Sequence, residues 1–266
     1  MQTLDQFQEK VLKEYPRMTR EDKFEFRCHP GVSCFNKCCN DVNIFLTPLD
    51  IIRLKNRLGI TSTEFLDKYT ILPIEENMRH PIVMLQMHDK TLNCNFVSDE
   101  GCTVYEDRPW ACRMYPIGEA LPKEEEEQTN EEFYFVINEP VCEGFKEKRE
   151  ITIKDWIKDQ GVEEYDELGR MFKEISLHPY FKKVNAVEPV KLEMFYMVCY
   201  DIDKFRSFLF ESSFLRRFQV SDQEIEDMKN DDIALLKFGF KWIKFAIFGE
   251  KVLEVRESVI QKVKNS

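Results

Sequence analysis

Cys28, Cys34, Cys38 and Cys39 fall within one short stretch, spaced C-x5-C-x3-CC. Cys94-x7-Cys102-x9-Cys112 forms a second group, Cys142 follows alone, and Cys199 lies far downstream. Thiolate sulfur is a soft ligand that suits Zn²⁺, Cu(I) and iron–sulfur clusters, and a folded site draws about four such ligands from different chain segments. The eight thiols before residue 143 exceed what one mononuclear site can use. They suffice for two sites, or for one cluster with spare cysteines. No CxxC pair occurs, and that pair is the usual half-site of a zinc ribbon. Neighbouring side chains in extended backbone point in opposite directions, so the adjacent Cys38 and Cys39 are not expected to chelate one zinc. They could serve two metals, two corners of a polynuclear cluster, or one ligand and one buried thiol.

Other residue types add less. His29, next to Cys28, reads as a loop residue, and His80, His88 and His178 lack ligand-like spacing. Cys199 sits in the apolar run Phe195-Tyr196-Met197-Val198-Cys199-Tyr200 and reads as a buried free thiol. A cysteine nucleophile needs a base to orient one thiol, and nothing selects one.

The first residues, MQTLDQFQEKVLKEYPRMTRED, are charged throughout and offer no apolar core for a signal peptide. The stretch from Leu235 to Phe248 is broken by Lys237, Lys241 and Lys244 and is shorter than the roughly 20 residues of a membrane span. A cytoplasmic protein without a transmembrane segment is therefore expected. In such a reducing compartment clustered cysteines bind metal or do redox chemistry more often than they form disulfides. The formal charge of −11 disfavours nucleic acid, whose phosphates an acidic surface repels. A protein partner stays open.

The elements that must position the thiols are short. An amphipathic helix is expected over about 3–15 from Leu4, Phe7, Val11 and Leu12. Pro, Gly, Ser and Asn alternate with the cysteines from Arg27 onward, so no helix is expected until Thr47. Thr47-Pro48-Leu49-Asp50 starts a helix that Gly59 ends, and Thr61 to Glu64 caps another. Residues 82–87 and 91–96 read as a hairpin across His88-Asp89-Lys90, and Phe133 to Ile137 reads as a strand. Glu124 to Glu127 reads as a solvated loop. Thr152-Ile153-Lys154-Asp155 and Ser221-Asp222-Gln223-Glu224 cap later helices, a strand-like run covers Leu192 to Tyr200, and one core-packed element spans about 222–264. The expected class is α+β: a small cysteine-rich metal-binding region with short helices and a hairpin over 1–150, and a mainly helical region over 151–266.

Two further segments carry a resemblance. Cys34-x3-Cys38-Cys39 leads into Ile44-Phe45-Leu46-Thr47-Pro48-Leu49-Asp50-Ile51. Gly101-Cys102-x-Val104-Tyr105-x2-Arg108-Pro109-x2-Cys112-Arg113-x-Tyr115-Pro116 follows. Together they resemble the YkgJ-like cysteine-cluster family of zinc- or iron-chelating domains, over roughly residues 25–145. The x5 and x3 spacings depart from the x2 and x2 of the family's other name, CxxCxxCC. The candidate metal ligands are Cys28, Cys34, Cys38, Cys39, Cys94, Cys102, Cys112 and Cys142, and the surplus of thiols, the adjacent pair and the missing CxxC half-sites favour iron–sulfur over zinc; the resemblance points the same way. Arg108, Arg113 and Tyr115 are candidates to stand behind the ligands, where the arginines beside Cys112 could donate to sulfur, although Arg108 and Arg113 could equally be a proline-fixed turn paired with Glu106 or Asp107. A distant relation to flagellin lysine N-methylases implies a protein lysine N-methyltransferase-like enzyme as an alternative. The sequence shows neither a Gly-rich cofactor turn nor a CxxxCxxC pattern to support it. A zinc-stabilised interaction scaffold is the third reading, and a metal-binding or redox module is the first.

Overall fold

The computed structural model describes residues 15–73, 79–120, 132–184 and 186–264. Its chain gathers into two compact units, each built from separated segments. The first takes Met1–Val42, His88–Tyr105 and Trp110–Glu164; the second takes Asn43–Met87, Glu106–Pro109 and Tyr165–Ser266. The class is α+β, with helices dominant and strands short. Among the described residues no helix is long and apolar enough to cross a membrane. The helix expected over about 3–15 and the Glu124–Glu127 loop fall outside the described residues, save for Tyr15.

The first unit holds three small antiparallel pairs. Lys23–Glu25 runs against Glu150–Thr152, Val97–Ser98 against Gly101–Cys102, and Ile117–Ala120 against Phe133–Val136. Two-stranded ribbons are marginal in water, so side-chain packing must hold them. Phe24, Phe26, Met114, Ile117, Tyr134, Ile153, Trp156, Ile157 and Val162 form that core. Phe26 and Trp156 meet edge to face at 5.5 Å between ring centres, a geometry that adds about 1 kcal/mol beyond area burial.

The second unit is mainly helical. Its capping signals act as the sequence suggests: Thr47 Oγ1 accepts from the Asp50 amide at 3.2 Å while the Asp50 carboxylate accepts from the Thr47 amide at 2.7 Å. The helix Pro48–Leu58 ends at Gly59, whose φ of 66° falls in the left-handed region. Capping boxes at Thr61 and Ser221 start the helices Ser62–Tyr69 and Asp222–Asn230. Each cap contributes about 1 kcal/mol. In the first unit, Thr152 likewise caps Ile153–Asp159.

Three expectations are corrected. Val83–Leu85 does not pair across His88–Lys90 with residues 91–96. It forms the centre of a three-stranded sheet between Phe45–Leu46 and Thr70–Ile71, because its three buried side chains need sheet on both sides. The turn at His88 keeps two backbone bonds, His88 N–H to Asn93 O and Leu92 N–H to His88 O, both 2.8 Å. The run Leu192 to Tyr200 is the end of the helix Pro189–Cys199, with Tyr200 as its C-cap. A short apolar run looks alike as buried strand or buried helix. Pro189, pre-set for a first helical turn, and packing against helices Ile202–Glu211 and Asp232–Ala246 decide it. Finally, 222–264 is not one element. Asp231 closes Asp222–Asn230 and, by accepting from the Ile233 amide at 2.7 Å, opens Asp232–Ala246. Gly249, at φ 77°, separates that helix from Glu257–Lys264.

Candidate metal centre

All eight candidate ligand cysteines belong to the first unit, and Cys199 belongs to the second. All nine are free thiols. Cys38 and Cys39 sit in a single 3-10 turn, Lys37–Cys39. Their side chains therefore diverge by about a third of a turn rather than to opposite faces of a strand. The residues flanking the turn, Asn36 and Asp41, have φ of 68° and 52°. Asn and Asp tolerate that region best among non-glycine residues. Leu92, before Cys94, also adopts it at 57° and has no such tolerance.

Hydrogen bonds zip the turn to the second cysteine loop. Asp41 N–H donates to Leu92 O at 2.8 Å, and Cys94 N–H donates to Cys39 O at 2.8 Å. Asn40 Nδ2 reaches Thr91 O at 2.8 Å and Asn93 Oδ1 at 2.7 Å, while Asn36 Nδ2 reaches Ser98 O at 3.0 Å. Val97 pairs with Cys102 in the adjoining ribbon. Cys112 rides on the short helix Trp110–Met114. Trp156 Nε1 donates to Met114 O at 3.1 Å and Arg113 to Gln160 O at 2.9 Å, which anchors that helix to the core.

Several sulfurs are met by backbone amides. Glu143 N–H points at Cys34 Sγ from 3.1 Å, and Phe96 N–H at Cys94 Sγ from 3.4 Å. The Gly144 amide likewise favours the Cys142 thiolate and the Val97 amide that of Cys94. Gly144 is needed there for space, since a Cβ would stand 2.6 Å from the Phe26 ring and 3.1 Å from Arg27 O. An amide donor favours sulfur in its charged, ligand-ready form.

Burial opposes them. It is the first cause that pushes up Cys28, to about 11, and also Cys94 and Cys142; neighbouring thiols add to the rise. Cys38 and Cys39 share a hydrogen bond. It lowers Cys38 to about 7 and drives Cys39 far above the ordinary thiol range, where burial adds to the rise. Tyr115 Oη is buried without a hydrogen-bond partner that satisfies normal geometry. Burial first, and then the adjacent Cys142, hold its ionisation well above the usual phenol value.

As placed, no three His, Cys, Asp or Glu side chains among the described residues converge on an ion. The fit to a metal lies in the donor set: eight thiols from five stretches of chain brought into one unit, with amides already aimed at their sulfurs. A family comparison adds a second line of support. Residues 27–148 match the family described as "CxxCxxCC: Putative zinc- or iron-chelating domain". The CxxCxxCC segment covers slightly less than half the chain and contains all eight cysteines, which supports a metal-binding cysteine cluster. No curated protein and no solved structure gives a significant match.

The residues expected behind the ligands divide. Tyr115 lies at Cys142 within the CxxCxxCC segment. Arg113, 5% exposed, serves the Gln160 carbonyl and so holds the Cys112 helix. Arg108 is buried and belongs to the Glu106–Pro109 segment of the second unit. Asp107 of that segment pairs with Arg53, at 3.4 Å. His29 accepts from the Gly31 amide at 3.1 Å and stands 3.5 Å from Glu147, a loop role. The sequence reading missed the sulfur-directed amides and Asn40. The amides carry no residue-type signal; Asn40, a side-chain donor and acceptor directly after the cysteine pair, was readable.

Proposed function

We propose that this protein is a metallo-protein whose cysteine cluster holds a thiolate-ligated centre of iron–sulfur type, serving as a binding or electron-transfer module. One observation carries the reading: backbone amides aimed at the Cys34 and Cys94 sulfurs at 3.1 and 3.4 Å. Amide donors to sulfur lower the charge on a thiolate centre and raise its reduction potential. Iron–sulfur is preferred to zinc because the thiols are numerous and include no CxxC half-site. An iron–sulfur cluster would supply one-electron transfer. This chain's own contribution is to hold the sulfurs and donate amide hydrogens to them, with Cys142 packed against the aromatic core around Phe26.

Protein purified without oxygen tests this. It should be brown, absorb broadly across the visible, bleach with dithionite and release acid-labile sulfide. Colourless, folded protein with stoichiometric zinc and no sulfide would replace the iron–sulfur reading with a zinc-stabilised scaffold for protein partners.

A further inference from the structure

The cysteine cluster is not evenly connected. On one side, the loop after Cys142 grips the loop carrying Cys28 and Cys34. Glu143 N–H meets Cys34 Sγ at 3.1 Å, Arg27 N–H donates to Gly144 O at 3.1 Å, and Phe26 N–H donates to Arg149 O at 2.9 Å. The Cys28 thiol lies within electrostatic reach of Cys38, Cys34 and Cys142. On the other side, Cys94 N–H donates to Cys39 O at 2.8 Å, Val97 N–H to Cys94 O at 3.1 Å, and Val97 pairs with Cys102. The Cys39 thiol lies within reach of Cys38, its neighbour in the chain, and beyond it of Cys94 and Cys112.

The two sides meet in the 3-10 turn Lys37–Cys39. There the chain passes from the Cys142 loop to the Cys94 loop between one cysteine and the next. In a 3-10 turn consecutive side chains point about 120° apart, so one residue can face each side. This explains why the cysteines are adjacent and why no CxxC pair is present. Neither side builds a half-site from one short loop; each collects thiols from separated segments. We infer that the eight cysteines form two four-thiol sites, one from Cys28, Cys34, Cys38 and Cys142 and the other from Cys39, Cys94, Cys102 and Cys112, with the Cys38–Cys39 turn as their seam.

Each site has the ligand number of a tetrahedral metal ion or a four-thiolate cluster. Each also brings its own amide donors: Glu143 and Gly144 to the first, Phe96 and Val97 to the second. The inference rests on the reading of the cluster as a metal centre and goes beyond it in assigning stoichiometry and ligand sets.

Titration of the reduced, metal-free full chain with Co²⁺ under nitrogen tests it, because Co²⁺ reports tetrahedral thiolate ligation whichever metal is native. About two equivalents per chain are expected, with thiolate-to-cobalt charge-transfer absorption rising to that point. Paired substitutions then sort the ligands. Cys28→Ser with Cys34→Ser, both in the first set, should leave about one equivalent, as should Cys94→Ser with Cys102→Ser in the second. Cys34→Ser with Cys94→Ser, one from each set, should abolish tight binding. Near-ultraviolet circular dichroism of Trp110 and Trp156, in the first unit with the substituted cysteines, checks that the variants remain folded. Saturation at one equivalent in the unaltered chain would overturn the two-site inference and leave the metal-centre reading intact. So would loss of all binding from a within-set pair in a variant whose Trp110 and Trp156 signals are unchanged. No tight Co²⁺ binding by the unaltered chain would overturn the metal-centre reading itself.

Discussion

The second unit buries ions and the first gathers thiols, and the two sets of groups are arranged in opposite ways. In the second, the Lys55 ammonium is 8% exposed and lies 3.2 Å from Asp203 and 3.0 Å from Asp232. Arg206 also pairs with Asp232. Asp203 accepts from the Ser62 amide at 2.7 Å, and Asp201 accepts from the hydroxyls of Ser62 at 2.7 Å and Thr63 at 2.9 Å. Every carboxylate in that network has a cation or a hydrogen donor, so it ties the helices Pro48–Leu58, Ser62–Tyr69, Ile202–Glu211 and Asp232–Ala246 together without further help. In the first unit the gathered thiols are all potential anions, amides already favour the charged form of several of them, and desolvation and mutual repulsion resist it. A polar network that closes on itself is structural; one that gathers donors of a single kind is completed by a cation from outside.

The sharpest break between the units should come from stripping the metal. A metal that binds the folded thiolate domain and not its unfolded chain stabilises the fold, and the ribbons of the first unit are two-stranded. Chelation should lower the temperature at which the near-ultraviolet circular dichroism of Trp110 and Trp156 is lost while leaving that for Trp242 in place, read out in Trp→Phe variants. A stripped protein in which all three transitions are unshifted would make the centre peripheral to the fold.

Lys55→Met should produce the reverse pattern. It leaves Asp203 without its cation and Asp232 with Arg206 alone, and breaking one side of a buried pair costs about 3–5 kcal/mol. The urea midpoint of the second unit should fall while metal content is unchanged. A shift below about 1 kcal/mol would mean that water, not Lys55, satisfies those carboxylates.

Acidity should separate the units as well. Burial opposes ionisation of Asp232, but Lys55 and then Arg206 outweigh it and hold the carboxyl below its ordinary value. The stability it contributes is present above the ordinary carboxylate pKa and is lost as pH falls through the depressed one. Cys28 runs the other way in the metal-free chain: its thiol is raised from 9.0 to about 11. The unfolded chain sheds that proton first, so stability is full below about 9 and declines as pH rises towards about 11. Melting temperature against pH for the stripped Cys28→Ser variant should lose part of the alkaline decline and none of the acid one.

The difference between the units also tracks how much of each was legible in the sequence. Capping boxes and glycine stops are local, so Thr47 to Gly59 and Ser221 to Glu224 could be read from the chain alone. The run Leu192 to Tyr200 could not. Its apolar residues have no period, and only packing against Asp232–Ala246 makes it helix. The candidate ligands could be named from cysteine chemistry alone. Their neighbours needed tertiary structure, because the Glu143 amide, beside Cys142, meets the Cys34 sulfur from 109 positions away in sequence, and no spacing rule encodes that.

The smallest expected effect is also the one whose sign distinguishes the two kinds of network. Tyr115 Oη is buried beside Cys142 with no well-formed hydrogen bond. In the stripped protein that hydroxyl is a buried polar group short of a partner, which costs about 1–3 kcal/mol. Tyr115→Phe should therefore be neutral or raise the melting temperature there. Once a metal holds Cys142 as thiolate, the same hydroxyl has an anionic acceptor, and a hydrogen bond to a charged group contributes about 1.5–3 kcal/mol. The loaded Tyr115→Phe protein should accordingly release metal to a chelator faster than the unaltered chain. If the centre is redox-active, its reduction potential should shift to a more negative value, since one donor to sulfur has been lost. A residue that merely fills space would move both forms in the same direction. Equal shifts in stripped and loaded protein would therefore reduce Tyr115 to packing and remove it from the metal centre.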